Sequence, residues 1–326
     1  MNKAHPSQVL QATQAYPVMP VVDHYCGTAE RINKALTLQL ELAKECGANV
    51  MDVTLDCEDG APVGREHEHA EMVAAMAAAH FAKTGIKVAV RVHPVDHPAH
   101  ADDVKTVLTA GHALAHMMIP KVESVSQVAQ VAKHTPKELP LHALIESAQA
   151  VSQAQSIAGH PQVASLSFGL MDFVSSHQGA IPATAMSLSA VGGQFDHPLI
   201  MHAKIAISVA CHAEGKIPSH AVVTEFKDTE KMSAMALLAA QRLGYLRMWS
   251  IHPAQIRPIL AAFAPSAAEV HTAVEILLAA QAADWAPINY QNTLHDRASY
   301  RYYWELLQKA RRTGAGIPAL AQSTFF

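Results

Sequence analysis

Short apolar runs alternate with longer amphipathic stretches along the chain from about residue 17 onward. A short apolar run bounded by turn residues is typical of a buried strand, and apolar residues spaced three and four apart are typical of a helix. The predicted strands cover residues 17–22, 49–55, 87–92, 116–119, 142–145, 164–168, 221–224 and 248–251. Because helical patterns separate these runs, the sequence predicts repeated βα units around a parallel sheet.

Three of the helical stretches begin after a residue that favours a helix N-cap, namely Thr28, Ser124 and Asp228. A side-chain oxygen at this position accepts a hydrogen bond from a backbone N–H of the first turn that otherwise has no partner. The helices predicted after these caps cover residues 29–46, 125–134 and 229–243.

About eight strands alternating with about eight helices favour an α/β fold of the (β/α)₈ TIM-barrel type over an open, doubly wound sheet. No strong linker interrupts the pattern before residue 285, so we predict a catalytic barrel domain over residues 1–284. The sequence contains no P-loop, GxSxG or HExxH motif, and no GxGxxG follows a predicted strand. NTPase, serine hydrolase, zincin and dinucleotide-binding functions therefore lack local support.

A different pattern begins after Pro287, where polar and aromatic residues dominate and a helix is predicted over residues 297–311. We predict that residues 285–326 form a helical C-terminal extension outside the barrel units. Such a segment can pack on its own barrel, or it can serve as a lid or as an arm exchanged between subunits. Composition does not distinguish these alternatives.

The composition narrows the class of protein. Half of the residues are hydrophobic, 16% are charged and the net charge is −4, which excludes a disordered or coiled-coil chain and gives no basic surface for nucleic acid. No apolar run approaches the roughly 20 residues needed to cross a bilayer, and no signal-peptide pattern is present. Four cysteines without a CxxC pair suit a reducing compartment, so we expect a cytoplasmic protein without a membrane partner.

Histidines are abundant, and His93, His97 and His100 have a spacing that resembles a metal site. Pro94 and Pro98 interrupt the helix that would place these three side chains on one face. We therefore favour a structural role for this cluster over a zinc site.

Titratable residues follow six of the predicted strands at their carboxyl ends, where TIM-barrel enzymes build their active sites. These residues are Asp56, Glu58, Asp59, Arg91, His93, Lys121, Glu123, Glu146, Asp172 and His252. Acids from three strands surround one arginine, and a divalent cation would relieve their mutual repulsion. Carboxylate oxygens suit Mg²⁺, with Mn²⁺ as an alternative, and we choose Glu146 and Asp172 as the direct ligands.

Structural interpretations of the same residues stay open. Glu146 and Asp172 can be first-turn acids that stabilise a helix N-terminus, and Glu58 and Asp59 can be turn residues. Arg91 can form an ion pair with Asp59 or Glu58 as well as bind a substrate. Convergence of several acids on one end of the barrel favours a site, because stability alone does not require it.

The strand-end residues lie in blocks that resemble the citrate lyase beta-chain-like family of the HpcH/HpaI aldolase superfamily. The family's Leu-Asp-Leu-Glu-Asp, Val-Arg-Val-Asn and Ile-Pro-Lys-Val-Glu resemble Leu55-Asp56-Cys57-Glu58-Asp59, Val90-Arg91-Val92-His93 and Ile119-Pro120-Lys121-Val122-Glu123. Its Ile-Glu-Thr-Ala, Phe-Gly-x-x-Asp-Phe and Ile-His-Pro-x-Gln-Ile resemble Ile145-Glu146-Ser147-Ala148, Phe168-Gly169-Leu170-Met171-Asp172-Phe173 and Ile251-His252-Pro253-Ala254-Gln255-Ile256. The blocks keep the family's order from about residue 49 to residue 265.

This resemblance implies a Mg²⁺-dependent carbon–carbon lyase. It implies that Glu146 and Asp172 bind the metal, that Glu58 and Asp59 hold its waters, and that Arg91 binds the acid fragment of the substrate. The implied reaction splits a 3-hydroxyacyl-CoA of the malyl or citramalyl type into acetyl-CoA and a 2-oxo acid, or runs in reverse.

Departures from the family pattern leave open which group carries the acyl part of the substrate. The usual lysine before Ile-His-Pro is Met248, an arginine of the helix after the acidic block is Glu71, and Tyr-Ala-Arg is His202-Ala203-Lys204. The first strand ends in Tyr25-Cys26-Gly27 in place of the family's Val-Pro loop. Fewer cations leave fewer contacts for a carrier phosphate. The alternatives are an aldolase acting on a free hydroxy-oxo acid and a carrier-dependent citrate lyase beta-type subunit.

Asp296 precedes the predicted C-terminal helix and matches an acid of the family's C-terminal segment. The resemblance implies that it is catalytic as an acid or base in a neighbouring subunit's site, which implies a homotrimer or a hexamer. As an alternative, Asp296 simply caps the helix that follows it.

Overall fold

The computed structural model describes residues 4–10 and 16–326. Eight parallel strands close a barrel in which each strand pairs with the next in sequence and β8 pairs with β1. The barrel strands are β1 (Val22–Cys26), β2 (Met51–Asp56), β3 (Val88–Arg91), β4 (Leu114–Ile119), β5 (Leu141–Ile145), β6 (Val163–Phe168), β7 (Ile217–His220) and β8 (Arg247–Ser250). The predicted barrel is confirmed.

Helices follow the strands and pack around the barrel. In the described residues they are α1 (Pro6–Val9), α2 (Ala29–Cys46), α3 (Glu66–Thr84), α4 (His100–Val107), α5 (Val125–Ala132), α6 (Ala148–Ser152), α7 (Ala154–Ala158), α8 (Leu170–Ser175), α9 (Pro198–Ala213), α10 (Thr229–Arg242), α11 (Ile256–Phe263), α12 (Ala267–Ala282), α13 (Arg297–Thr313) and α14 (Ala319–Phe325). No helix of this part of the chain is long and apolar enough to cross a membrane.

The predicted caps act at two of three helices. Thr28 accepts from the backbone N–H of Arg31, and Asp228 accepts from that of Lys231. Ser124 precedes α5 without a side-chain capping bond, and α5 ends at Ala132, two residues before the predicted end. Local capping chemistry therefore fixed the starts of these helices better than their ends.

Two strand predictions were wrong in position. The first strand begins at Val22 instead of residue 17, and the seventh ends at His220 instead of beginning at residue 221. Pro17 and Pro20 cannot donate to a strand ladder, which explains why pairing begins after them. Both true strands contain buried polar residues, so the apolar runs beside them were mistaken for the strands.

The apolar core has two main parts. The larger part lies between the barrel strands and the surrounding helices. The second joins α12, α13 and α14 with Leu10 and Trp285, beside an antiparallel hairpin of β9 (Ile288–Tyr290) and β10 (Thr293–His295). A boundary at residue 284 stays a prediction, since helices on both sides of it share the second core.

Candidate active site at the carboxyl end of the barrel

Arg91 ends β3 and is held by three carboxylates. Its Nε and Nη2 donate to the two oxygens of Asp56 at 2.7 and 2.6 Å, which makes a bidentate pair. Its Nη1 lies 2.7 Å from Glu58 Oε2, and its Nη2 donates to Asp59 Oδ2 at 2.9 Å. The guanidinium also lies 4.8 Å from the centre of the Tyr25 ring. The ion pairs considered from the sequence are present, and Asp56, to which the sequence analysis gave no role, is the bidentate partner.

Glu146 follows β5 and is buried beside Gly169. Its Oε2 accepts from the backbone N–H of Lys121 at 2.8 Å. A Cβ at position 169 would lie 2.2 Å from Glu146 Oε1, so only glycine leaves room for this carboxylate. The helix-terminus interpretation fails for Glu146, because it precedes Ser147, the N-cap of α6.

Burial, followed by the negative charges of Asp172 and Glu58, raises the pKa of Glu146 to about 8. A cation held there would replace the proton that Glu146 otherwise keeps near neutral pH. The charge of Asp172 therefore acts on Glu146 across the mouth of the barrel.

Asp172 lies in the first turn of α8, three residues after Gly169, and is exposed. The helix-terminus interpretation thus holds for its position. No hydrogen bond or ion pair between described residues occupies its side-chain carboxylate. Asp172 is therefore free to contribute an oxygen ligand beside Glu146.

Lys121 connects the acids of two strands. Its Nζ donates to Glu58 Oε1 at 2.9 Å while its own N–H holds Glu146. Its φ is +51°, a left-handed conformation that few non-glycine residues adopt and that is common at functional sites. Burial lowers the pKa of Lys121, but the bond to Glu58 and the charges of Asp172 and Glu146 outweigh it and leave the pKa raised. The sequence placed Lys121 at a strand end but gave it no role.

Glu58 and Asp59 differ in their surroundings. The Glu58 side chain is 7% exposed and lies between Arg91 and Lys121, whereas that of Asp59 is 78% exposed. Burial raises the pKa of Glu58 in spite of these two cations. Glu58 is thus an inner member of the cluster and Asp59 an outer one.

Aromatic residues lie beneath the acids. The Tyr25 and Trp249 rings stack with centres 4.6 Å apart, and Tyr25 Oη donates to the sulfur of Met118. Trp249 packs with Met118 and Leu144 in a small apolar cluster. This layer contacts the acidic cluster through the Tyr25 ring, which lies 4.8 Å from the Arg91 guanidinium.

The loops after the first two strands touch at glycines. A Cβ on Gly60 would lie 2.6 Å from the Cα of Gly27, and one on Gly27 would meet Gly60 equally closely. Gly27 belongs to the segment that departs from the family's usual first loop. The close approach helps to hold the acidic loop containing Glu58 and Asp59 against β1.

The histidine cluster after β3 is structural. His93 Nδ1 lies 2.6 Å from Asp103 Oδ2, and the His93 and His97 rings stack 4.2 Å apart. His100 Nδ1 lies 2.8 Å from the His93 carbonyl oxygen. His252 instead caps the turn after β8, where its side chain accepts from the N–H of Ala254. These contacts support the structural interpretation of the cluster.

Asp296 caps α13, which is the alternative that the sequence left open beside a catalytic role. It accepts from the N–H groups of Ala298 and Ser299, and the Ser299 hydroxyl bonds back to the Asp296 backbone. No hydrogen bond or ion pair of the described chain connects Asp296 with Arg91, Glu146 or Asp172. Any catalytic role of Asp296 toward another subunit stays a prediction.

Charge at this mouth is unbalanced. Five acids, Asp56, Glu58, Asp59, Glu146 and Asp172, share two bases, Arg91 and Lys121. Hard carboxylate oxygens in excess suit a small divalent cation, so the residues present fit Mg²⁺. A cation between Glu146 and Asp172 would leave Arg91 and Lys121 for negatively charged ligands.

Known proteins resemble this chain in sequence. The sequence pattern of the HpcH/HpaI aldolase/citrate lyase family matches residues 38–253. An L-malyl-CoA/beta-methylmalyl-CoA lyase of Rhodobacter capsulatus is 30% identical over 286 residues, which cover 79% of this chain and 86% of that one.

Solved structures share the whole fold. A citrate lyase from Burkholderia xenovorans LB400 is 46% identical, with a TM-score of 0.83, and the match covers 99% of this chain and 100% of that one. The protein CitE of Mycobacterium tuberculosis, in complex with magnesium, acetoacetate and coenzyme A, is 22% identical with a TM-score of 0.65. That match covers 89% of this chain and 98% of that one. This chain belongs to the HpcH/HpaI aldolase/citrate lyase family and is a lyase.

Proposed function

We propose that the chain is a Mg²⁺-dependent lyase that cleaves a 3-hydroxyacyl-CoA of the malyl or citramalyl type, or forms it by the reverse reaction. The observation that carries this proposal is the pairing of buried Glu146 with open Asp172 in a mouth where acids outnumber bases. The Rhodobacter capsulatus relative, named for malyl-CoA and methylmalyl-CoA cleavage, supports the choice of a thioester.

Glu146 and Asp172 would hold the magnesium ion, and Glu58 and Asp59 would accept hydrogen bonds from its waters. Bound magnesium would supply Lewis-acid stabilisation of negative charge on the substrate's hydroxyl or carbonyl oxygen. Lys121 fixes Glu146 through its backbone N–H and Glu58 through its ammonium group, so it positions acids of two strands. The preorganised cluster therefore needs little rearrangement to bind an ion.

Arg91 would bind the carboxylate of the acid fragment. Asp56 holds Nε and Nη2 and fixes the plane of the guanidinium, while the Tyr25 ring supports one face. Exposed Asp59 is the partner that a substrate carboxylate can replace at least cost, since its own charge returns to water. The bidentate Asp56 pair would then orient the arginine during turnover.

Cleavage releases the proton of the substrate hydroxyl to solvent, turns that hydroxyl into a carbonyl and breaks the bond to the carbon next to the thioester. The bonding electrons form an enolate on the thioester fragment, and that carbon must take up a proton to give acetyl-CoA. We propose Asp296 of a second copy as the group that transfers this proton, because Asp296 makes no contact with the acids of its own barrel. The enzyme would then be a homotrimer or a hexamer.

The test is turnover of malyl-CoA and citramalyl-CoA by purified protein with and without Mg²⁺, with acetyl-CoA and the 2-oxo acid as measured products. The variant Glu146→Gln should lose about 10³-fold in kcat/KM, about 4 kcal/mol of transition-state stabilisation. It should also lose Mg²⁺ binding measured by calorimetry. Glu225→Gln is the matched control, because Glu225 lies on the exposed loop after β7.

Three outcomes would contradict the proposal in different ways. Cleavage of a free hydroxy-oxo acid without any thioester turnover would favour a free-acid aldolase. Turnover only with an acyl carrier protein would favour a citrate lyase beta-type subunit. Wild-type turnover by Glu146→Gln would remove Glu146 from the metal site.

A further inference from the structure

A second group of titratable residues lies inside the barrel, below the aromatic layer formed by Tyr25 and Trp249. Asp23, His116 and His142 each offer a ligand atom there, and the three atoms lie within 4.8 Å of one another. All three residues are at most 1% exposed. They come from β1, β4 and β5, so rigid strands hold them in place.

Among the residues that the structure describes, each of these side chains has one buried polar atom without a hydrogen-bond partner. Thr54 donates to Asp23 Oδ1, which leaves Asp23 Oδ2 without such a bond. His142 Nε2 lies 2.6 Å from Ser167 Oγ, which leaves His142 Nδ1 without a partner. His116 Nε2 also has none. Buried polar atoms in native proteins are nearly always paired. Two histidine nitrogens without a hydrogen bond, beside a carboxylate oxygen whose contact is the ion pair with Arg247, therefore indicate a ligand.

The neighbouring contacts prepare the histidines for a metal. A proton on His142 Nε2, donated to Ser167 Oγ, leaves the Nδ1 lone pair free for an ion, and Trp249 Nε1 holds Ser167 Oγ at 2.7 Å. The His116 and His142 rings stack with centres 5.5 Å apart. Hydrogen bonds of this kind orient metal-binding histidines in known sites.

The charge in the interior also leaves room for a cation. Arg247 is fully buried, with Nη1 2.6 Å from Asp52 Oδ2 and Nη2 2.9 Å from Asp23 Oδ2. The contact to Asp23 has the distance of an ion pair without hydrogen-bond alignment. One guanidinium therefore faces two carboxylates, and burial makes an uncompensated carboxylate costly.

We propose that Asp23, His116 and His142 form a structural zinc site inside the barrel, with an enclosed water as the fourth ligand, independent of the reaction proposed for the mouth. Two imidazoles and one carboxylate suit Zn²⁺, whereas the all-oxygen donors at the mouth suit Mg²⁺. A tetrahedral zinc places its ligand atoms about 3.4 Å apart, so the three side chains must close by about an ångström on binding. Small side-chain rotations supply this movement.

The decisive measurement is the metal content of the protein refolded in the presence of both Zn²⁺ and Mg²⁺ and then dialysed against a weak chelator. Refolding matters because the site is sealed, so the ion has to enter before the barrel closes. We expect about one zinc per chain by elemental analysis, as expected for a single structural site. Zinc-edge anomalous diffraction should place that ion between β1, β4 and β5.

Variants separate this site from the mouth. His116→Asn and His142→Asn should each lose the zinc, whereas His80→Asn should keep it, because buried His80 lies on α3 and contacts Gln39. Glu146→Gln should also keep the zinc while losing Mg²⁺, so failure of either proposal can be recognised separately. Cobalt replacing zinc should give the absorption bands of a tetrahedral site in the wild type.

Two results would overturn the proposal. The first is wild-type protein that refolds without retaining zinc and whose anomalous map is flat between the three residues. The second is zinc that persists in both histidine variants, which would place it elsewhere. Should the histidine variants fail to fold, the wild-type diffraction measurement alone still decides.

Discussion

The molecule contains two clusters in which one arginine faces several acids, and they differ in access to water. At the mouth, Arg91 pairs with Asp56, Glu58 and Asp59, and the Asp59 side chain is 78% exposed. In the interior, Arg247 pairs with Asp23 and Asp52, and its side chain is 0% exposed. Asp59 can leave Arg91 for solvent, whereas Asp23 and Asp52 cannot leave Arg247 in this way.

This difference in access to water distinguishes a cluster that can bind a ligand from one that stabilises the fold. A charge cluster that opens to water can exchange one partner for a ligand, because the displaced group is hydrated again. A sealed cluster must be satisfied by groups of the protein or by an ion enclosed during folding. Burial raises the pKa of Asp52 to about 6 even with Arg247 beside it, because removing the charged carboxylate from water is unfavourable.

Replacing each arginine in turn should give the largest effect of this difference in access to water. Arg247→Met leaves Asp52 buried without a countercharge and removes the ion pair of Asp23, and we expect a loss of about 3–5 kcal/mol in the free energy of unfolding. Arg91→Met should cost less stability, because Glu58 keeps Lys121 and Asp59 is hydrated. Buried Asp56 loses its countercharge but still accepts from the backbone N–H of Glu58. The same variant should abolish turnover if Arg91 binds the acid fragment.

Urea unfolding followed by circular dichroism, together with turnover assays, measures both effects. Equal losses of stability in the two variants would contradict the distinction between an open and a sealed cluster. Wild-type kcat/KM in Arg91→Met would remove Arg91 from the site.

A substitution at Asp296 tests whether another chain contributes a residue to the open cluster. Asparagine is as good an N-cap as aspartate, so Asp296→Asn should change the free energy of unfolding by less than about 0.5 kcal/mol. If Asp296 transfers the proton in a neighbouring subunit's site, turnover should fall by at least about 10²-fold. Stability and kcat measured on the same preparation separate the two roles.

Mixed oligomers test the same role directly. Co-assembled Asp296→Asn and Glu146→Gln chains should recover activity, because some sites then combine an intact Glu146 with an intact Asp296. Verified mixed oligomers that stay inactive would contradict a shared site. A wild-type turnover rate in the Asp296→Asn variant alone would mean that Asp296 acts only as a helix cap.

The sequence predicted the open cluster well because its members follow strands at fixed places. Glu146 and Asp172 came from strand ends, and their convergence follows from a closed parallel barrel. Asp56 was predicted to lie at a strand end but without a role of its own, because its bidentate pairing with Arg91 joins two different strands. The Lys121 conformation and its two contacts depend on tertiary structure that no local pattern encodes.

The sealed cluster could not be predicted in the same way. The first predicted strand stopped at residue 22 and the last began at residue 248, which left Asp23 and Arg247 just outside them. His116 and His142 fell inside predicted strands, but branched apolar residues usually fill a barrel of this kind. Polar residues within strands therefore did not indicate a buried cluster, because their neighbours across the barrel follow only from the tertiary structure.

A third buried group contains a base with no acid beside it, and its pH dependence gives the smallest effect. His220 on β7 stacks on Phe195 with ring centres 5.2 Å apart, and its Nδ1 lies 3.0 Å from the Ala221 carbonyl oxygen. Lys204 lies over the same Phe195 ring and donates to Gln194 Oε1 at 2.8 Å. Burial, followed by the charge of Lys204, lowers the pKa of His220 well below 6.5.

The sign of the effect follows from this lowered pKa. His220 stays neutral in the folded state, while the unfolded chain takes up a proton below pH about 6.5. Its contribution to stability is therefore complete above pH 6.5 and is lost as the pH falls toward the folded pKa. Between pH 7 and pH 5.5 we expect His220 to account for about 1.2 kcal/mol of lost unfolding free energy.

Urea unfolding at both pH values measures this effect. Over this interval the free energy of unfolding should fall by about that amount less in His220→Gln than in the wild type. His202→Gln, at an exposed position of α9, should follow the wild type. Identical pH dependence in wild type and His220→Gln would mean that water reaches His220 and that this group is not sealed as the interior cluster is.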